Sequence, residues 1–137
     1  MTVRKAKSDN PIVYPSEHAE QCALISWWSY VCKNAGVPER LLFAIPNGGA
    51  RSAVTGATLK GEGVRPGIPD LFLAVPSKDY NGLFVEMKKK RGGRISPCQM
   101  QAKSELEQFG YCVKVCRGFE EAKKEISLYL CFSVAFS

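Results

Sequence analysis

Histidine is nearly absent from this sequence of 137 residues, in which His18 is the single example. Six cysteines are present, but none forms a Cys-x-x-Cys pair, the spacing that zinc-binding loops favour. The sequence therefore argues against a zinc centre. It also argues against nucleases whose metal is held by several histidines.

Long apolar runs are also missing. No N-terminal apolar segment resembles a signal peptide. The last apolar stretch, Leu128 to Phe136, is too short to cross a bilayer. We therefore expect a cytoplasmic protein that is neither secreted nor membrane-bound, with reduced cysteines that mostly fill the core.

The composition is that of a globular chain with an excess of positive charge. Hydrophobic residues make up 45% and charged residues 23%, enough apolar material for one domain with its own core. We expect a basic, flexible arm over Met1 to Pro15 and a single domain over residues 16–137. The net charge of +6 favours an anionic partner, most often nucleic acid, although a merely soluble basic protein has the same charge.

The apolar spacing predicts helices alternating with short strands. Ser16 and Ser96 are plausible N-caps, and Gly36 and Gly110 are natural helix stops. The predicted helices are Glu17–Asn34, Arg51–Leu59, Ser96–Phe109 and Phe119–Leu130, and the predicted strands are Leu41–Ile45, Asp70–Val75, Leu83–Lys88 and Tyr111–Cys116. This order predicts an α/β sandwich around a small mixed sheet flanked by helices.

Three charged residues are placed to converge at one end of that sheet. Alternate residues of a strand share a face, so Glu86 and Lys88 project together, away from Val85 and Met87. Asp70 begins the preceding strand and lies beside Glu86 if the two strands form a hairpin. Paired carboxylates suit a hard divalent cation such as Mg²⁺, and a lysine can stabilise negative charge on a phosphate. The alternative is a solvated strand face that carries a Glu-Lys pair.

The wider pattern resembles a known nuclease family. Asp70, Glu86 and Lys88 match the Pro-Asp…Glu-x-Lys pattern of the restriction-endonuclease-like nucleases. From Glu17 to about Leu130, the chain resembles the virus-type replication-repair nuclease domain, VRR-NUC, in five ordered motifs: Glu17-His18…Gln21, Pro46-Asn47-Gly48-Gly49…Arg51, Gly67-Ile68-Pro69-Asp70-Leu71, Glu86-Met87-Lys88 and Gly93-Arg94-Ile95-Ser96…Gln99. The resemblance implies a restriction-endonuclease-like core.

The resemblance also implies an active site that requires Mg²⁺ or Mn²⁺. Asp70, Glu86 and the backbone carbonyl of Met87 are its expected metal ligands. Lys88 is the expected catalytic lysine, and Gln99 matches a family position beside the active site. A surface glutamine in the first turn of a helix is the alternative for Gln99.

A carboxylate from the first helix usually completes such a site. Glu17 fits the family position better, because Gln21 follows one helical turn later on the same face. Helical spacing does not exclude Glu20. Either residue could instead be an acid that interacts favourably with the dipole of the first helical turn.

Two loops are candidates for holding DNA. Glycine lets backbone approach a phosphate and cationic side chains bind one, but tight or solvated turns have the same composition. The candidate DNA-binding residues are Asn47, Arg51, Lys89, Lys90, Arg91 and Arg94.

We therefore expect a metal-dependent DNA endonuclease. The alternative is a non-catalytic DNA-binding module that keeps the nuclease fold. Because the chain resembles the short stand-alone members, found often in phages, we expect it to act in a bacterial or phage-host cytoplasm on branched DNA such as four-way junctions. We also expect a homodimer, in which Leu128–Phe136 either contacts the second copy or covers the chain's own core.

Overall fold

The fold is a four-stranded mixed sheet between helices. The computed structural model describes residues 11–46 and 53–131. In chain order the elements are α1 (Glu17–Val31), a 3₁₀ turn (Glu39–Leu41), β1 (Leu42–Ala44), α2 (Ala53–Gly61), β2 (Leu71–Leu73), β3 (Leu83–Lys88), α3 (Pro97–Gln108), β4 (Cys112–Arg117) and α4 (Phe119–Cys131).

Each predicted helix and strand is present, and the differences lie at the ends. Helix α1 stops at Val31 rather than Asn34, because the chain turns there into a loop closed at Gly36, whose φ is 70°. Strand β2 is limited to Leu71–Leu73, so Asp70 lies just outside it. The start of the second predicted helix, at Arg51 and Ser52, lies outside the described residues.

The strand order β1-β2-β3-β4 places the predicted hairpin at the centre of the sheet. Strands β2 and β3 pair antiparallel with Leu71 opposite Val85, so Asp70 falls beside Glu86. Strands β3 and β4 pair in parallel, with Glu86 opposite Val115, and α3 makes the connection between them. The sheet is therefore mixed, as predicted.

One face of the sheet carries the hydrophobic core. Helices α1 and α4 cover it with the buried side chains Leu24, Trp28 and Ile126, which pack with Leu71, Val85 and Met87 of the sheet. The indole Nε1 of Trp28 donates to the carbonyl of Glu39 at 2.8 Å, which satisfies its polar atom. Helix α3 lies on the other face, beside Glu86 and Lys88.

The C-terminal apolar stretch contributes to this core. Tyr129 and Leu130 are buried, and the Tyr129 hydroxyl donates to the carbonyl of Val75 at 2.6 Å. Leu128 and Cys131 are exposed, and residues 132–137 lie outside the described part of the chain. The first part of the stretch thus covers the chain's own core. Among the described helices, none combines the length and apolarity that a bilayer crossing needs.

Candidate active site

Asp70 is fixed against the middle of β3. It directly precedes β2, and its Oδ2 accepts a hydrogen bond from the backbone N–H of Met87 at 2.7 Å. The bond holds the carboxylate beside Glu86, the residue that precedes Met87. The predicted approach of Asp70 to Glu86 is therefore present.

Glu86 and Lys88 are buried, which contradicts the alternative of a solvated strand face. Their residues are only 5% and 8% exposed. The ammonium Nζ of Lys88 lies 3.8 Å from Oε1 of Glu86. Burying a charge is unfavourable unless partners compensate it, so this pair requires further polar contacts.

Gln99 provides those contacts from the first turn of α3. Its Oε1 accepts from Lys88 Nζ at 2.9 Å, and its Nε2 donates to Glu86 Oε1 at 2.8 Å. Oε1 also accepts from the backbone N–H of Ser96, whose hydroxyl accepts from the N–H of Gln99, a reciprocal capping box. The Gln99 side chain therefore helps to cap the N-terminus of α3 and also orients Glu86 and Lys88. The alternative of a simple surface glutamine is wrong.

The two glutamates of α1 have different surroundings. Glu17 lines the same cleft as Asp70 and Glu86. Glu20 is 4% exposed, and its Oε2 accepts from the backbone N–H of Phe119, the first residue of α4, at 2.5 Å. The geometry thus places Glu17 at the site and gives Glu20 a structural contact.

We expect Glu20→Ala to destabilise the fold by about 1–3 kcal/mol, because the partly buried N–H of Phe119 would lose its acceptor. Glu20→Gln keeps an acceptor oxygen and should lose less. Urea unfolding measures both. An alanine variant of unchanged stability but reduced cleavage would instead place Glu20 in the chemistry.

The site contains one buried oxygen that no donor reaches. Oε2 of Glu86 has no hydrogen-bond partner among the described residues. Desolvation and then the charge of Asp70 raise the pKa of Glu86 to about 8, which Lys88 only partly opposes. Once protonated, Glu86 can also donate a hydrogen bond to Asp70, and this further raises its pKa. When both are ionised, they can only accept, so a cation between them would take the place of the proton.

The donor set fits a hard divalent cation. No cluster of three histidine, cysteine or acidic groups capable of holding a metal occurs within the described ranges. Mg²⁺, however, needs only one or two carboxylates and takes its other ligands from water and substrate phosphate. Asp70 and Glu86 supply that minimum in a partly buried cleft, with the Met87 carbonyl in the same strand. A site of this kind matches Mg²⁺ or Mn²⁺ better than Zn²⁺.

Comparison with known proteins decides the family. A model of the VRR-NUC domain matches residues 4–120, which is most of the chain. The chain belongs to the VRR-NUC family. A solved structure of a VRR_NUC domain protein is 26% identical, with a TM-score of 0.76 over 90% of this chain and 94% of that one. A search of curated proteins finds no match.

Membership of the VRR-NUC family confirms the restriction-endonuclease-like α/β fold and implies nuclease activity with nucleic acid as the partner. The structure brings five predicted site residues to one cleft: Glu17, Asp70, Glu86, Lys88 and Gln99. The roles assigned to them in catalysis stay predictions.

The basic loop of this VRR-NUC domain follows the active strand directly. Its predicted DNA-binding residues Lys89, Lys90, Arg91 and Arg94 are exposed, and Arg91 lies 5.6 Å from the ring centre of Tyr14. This contact holds the segment before α1 next to the loop. Asn47 and Arg51, the other candidates, lie outside the described residues.

Sequence reasoning missed two cations of the cleft. Lys60, in the last turn of α2, and Arg65, in the following loop, line the same cavity as Asp70. Both lie between the second and third family motifs, and a local pattern does not show that this segment returns over the site.

The pH dependence of stability tests the environment of Glu86. Its folded-state pKa is raised from 4.5 to about 8, so the folded state binds this proton more tightly than the unfolded chain. The stability that this protonated group contributes is fully present below pH 4.5, the pKa in the unfolded chain, and is lost as the pH rises through the folded-state pKa of about 8. For the metal-free protein we expect a fall in unfolding free energy over this window. Glu86→Gln should flatten it, whereas Glu105→Gln, an exposed glutamate of α3, should not.

Urea unfolding at several pH values in EDTA measures this effect. A wild-type slope that persists in Glu86→Gln would show that other groups cause it. Addition of Mn²⁺ should restore stability to the wild-type protein most strongly near pH 8, because the proton competes with the cation for Glu86.

Proposed function

We propose that this protein is a DNA endonuclease that depends on Mg²⁺ or Mn²⁺ and hydrolyses phosphodiester bonds. The observation that supports this best is the buried, unpartnered oxygen of Glu86 beside Asp70. Such an arrangement is stable only with a proton or a cation between the two groups. Asp70, Glu86 and the Met87 carbonyl are the proposed ligands, with Glu17 at the edge of the cleft.

Lys88 and Gln99 have different roles around the proposed metal site. When bound, the cation would polarise the phosphodiester and lower the pKa of water. Lys88 stabilises negative charge on the phosphoryl oxygens as the phosphodiester is attacked. Gln99 fixes the Lys88 ammonium and leaves Glu86 Oε2 open, because its amide binds only Oε1. The site is thus arranged before substrate arrives.

A non-catalytic DNA-binding module is the rival proposal. It would hold phosphate with exposed cations and would have no need of paired acids beside it. Burial of Glu86 and Lys88 is energetically unfavourable, and a module that only binds gains nothing from it. Chemistry therefore explains this site better than binding alone.

Branched DNA is the proposed substrate and a homodimer the proposed assembly. The net charge of +6 and the exposed basic loop at residues 89–94 suit two closely spaced phosphate backbones. A two-fold dimer would present two sites to a four-way junction. Six free cysteines support action in a reducing compartment, such as a bacterial or phage-host cytoplasm.

Cleavage of a DNA panel tests the function. Linear duplex, single-stranded, flap and four-way substrates are incubated with purified protein in EDTA, Mg²⁺ or Mn²⁺. We expect cleavage only with metal and fastest on the four-way junction. Equal rates on all substrates would reject the structural preference, and binding without cleavage under any condition would favour the rival module.

Light scattering tests the dimer. We expect twice the 15.1 kDa chain mass at micromolar concentration. Truncation after Cys131 removes residues 132–137 but keeps the buried Tyr129 and Leu130. A monomeric wild-type mass would reject the homodimer. A truncated chain that still dimerises would show that residues 132–137 are not the contact.

A further inference from the structure

The active cleft has a second wall, formed by the end of α2 and the loop after it. The cavity has a volume of about 470 Å³, and Lys60 and Arg65 line it together with Asp70, Glu86 and Lys88. The function proposed above uses only the wall that carries the carboxylates. The cationic wall needs an explanation of its own.

Backbone hydrogen bonds fix this wall in place. The N–H of Val64 donates to the carbonyl of Leu59 at 3.0 Å, and the N–H of Gly63 donates to the carbonyl of Lys60 at 3.1 Å. With Gly63 at a φ of +98°, this is a Schellman motif at the end of α2. Lys60 and Arg65 therefore flank a rigid turn rather than a free loop.

Charge pairing within the fold does not explain the two side chains. Both are exposed, and within residues 11–46 and 53–131 neither forms an ion pair with a carboxylate. A favourable interaction with the dipole of α2 explains a lysine in its last turn. It does not explain Arg65, which lies beyond the end of the helix.

The charges of the cleft indicate the ligand. Glu17, Asp70 and Glu86 oppose three cations, Lys60, Arg65 and Lys88, so a bound divalent cation would make the cleft positive. Lys88 is already hydrogen-bonded by Gln99. The remaining cations are placed to bind an anionic group, and a guanidinium can bind a phosphate through two parallel hydrogen bonds.

We propose that Lys60 and Arg65 bind backbone phosphates of the strand being cut, on the wall of the cleft that α2 and the following loop form. This inference rests on the proposed nuclease function and adds the residues that hold its substrate. The basic loop at residues 89–94 then contacts DNA outside the cleft, whereas Lys60 and Arg65 act where the cut strand enters.

Kinetics and binding of the double variant Lys60→Ala/Arg65→Ala provide the test. We expect KM to rise by about tenfold or more, with the saturated single-turnover rate changed by less than about threefold, because binding is lost rather than chemistry. The slope of log Kd against log salt should fall by about 0.7–0.9 per lost phosphate contact. Binding is measured in a Glu86→Gln background, so that the DNA stays uncut.

Two controls separate a local effect from a general one. Lys78→Ala removes an exposed cation from the β2–β3 turn, at the far end of the hairpin, and should change neither KM nor the salt slope. Arg65→Lys keeps the charge but loses the planar fork and should recover only part of the affinity. Thermal stabilisation by Mn²⁺ should remain at the wild-type level in the Lys60→Ala/Arg65→Ala protein.

The outcomes distinguish this inference from the proposed function. An unchanged KM and salt slope in the double variant would overturn the role of Lys60 and Arg65 in binding DNA. Loss of thermal stabilisation by Mn²⁺ in that variant would also overturn it, because the two cations would then support the metal site. If the wild-type protein bound DNA but never cut it, the nuclease proposal would fail. A reduced salt slope in the double variant would still support the role of Lys60 and Arg65 in binding.

Discussion

Asp70→Asn and Glu86→Gln are expected to abolish cleavage while the fold remains intact. Each substitution removes a proposed metal ligand and therefore several kcal/mol of transition-state stabilisation, ~1,000-fold or more in rate. Lys88→Met keeps the buried stem but removes the ammonium. It should slow cleavage on the order of a hundredfold, as expected for loss of one electrostatic stabiliser.

Single-turnover cleavage with excess enzyme measures these rates, and Mn²⁺-induced thermal stabilisation reports metal binding separately. Asp70→Asn and Glu86→Gln should lose the stabilisation, whereas Lys88→Met should retain it. Asp79→Asn, an exposed acid in the β2–β3 turn, is the matched control and should behave as wild type. Undiminished cleavage by Glu86→Gln would refute the assignment.

Glu86→Gln is also expected to stabilise the metal-free protein near pH 8. The wild-type residue is buried next to another carboxylate, which is unfavourable until a cation binds. Active sites often retain such destabilising charges because the chemistry requires them. Loss of activity together with a gain in stability would distinguish a functional carboxylate from a structural one such as Glu20.

The hairpin that carries the site was predictable because its determinants are local. In Leu83–Lys88, alternate side chains share a face of the strand, so Glu86 and Lys88 project together. The antiparallel pairing with β2 then brings Asp70 next to Glu86. The N-cap and glutamine of α3 were equally visible as Ser96 and Gln99. These elements are close in sequence, so short-range rules suffice.

The contacts that complete the site depend on how distant elements pack. Glu17 and Glu20 lie in the same first turn of α1, and spacing alone left both open. The distinction comes from α4, whose first N–H, at Phe119, binds Glu20 across 99 positions of the chain. The second hydrogen-bonding role of Gln99, towards Lys88 and Glu86, likewise depends on how α3 is rotated over the sheet, which no local motif specifies.

The position of Lys60 and Arg65 in the cleft also depends on packing that local sequence patterns do not predict. Gly56 weakens the helical signal of α2, and three glycines and two prolines in residues 61–69 predict only a loop. A close backbone contact with α3 fixes the end of this loop, just before Asp70. Gly67 lies so near α3 that a Cβ there would be 2.4 Å from the carbonyl oxygen of Cys98.

Gly67→Ala should therefore be damaging although it adds only one methyl group. Its φ of +85° is unfavourable for alanine, and the new methyl would overlap backbone rather than a side chain that could move. We expect a stability loss of about 1–3 kcal/mol. Either the loop before Asp70 or the first turn of α3, which carries Gln99, must shift to relieve the overlap.

A displacement of either element should also slow the chemistry. A shift of about 1 Å in a reacting group can reduce a rate on the order of a hundredfold. Gly92→Ala is the matched control: Gly92 has a φ of +83°, but beyond its chain neighbours no atom of the described residues lies within 4 Å of where the new methyl would be. It should lose less stability than Gly67→Ala, because only backbone strain acts there, and it should keep the wild-type single-turnover rate at saturating DNA. If Gly67→Ala and Gly92→Ala proved equally active, the contact between Gly67 and Cys98 would not position the active site.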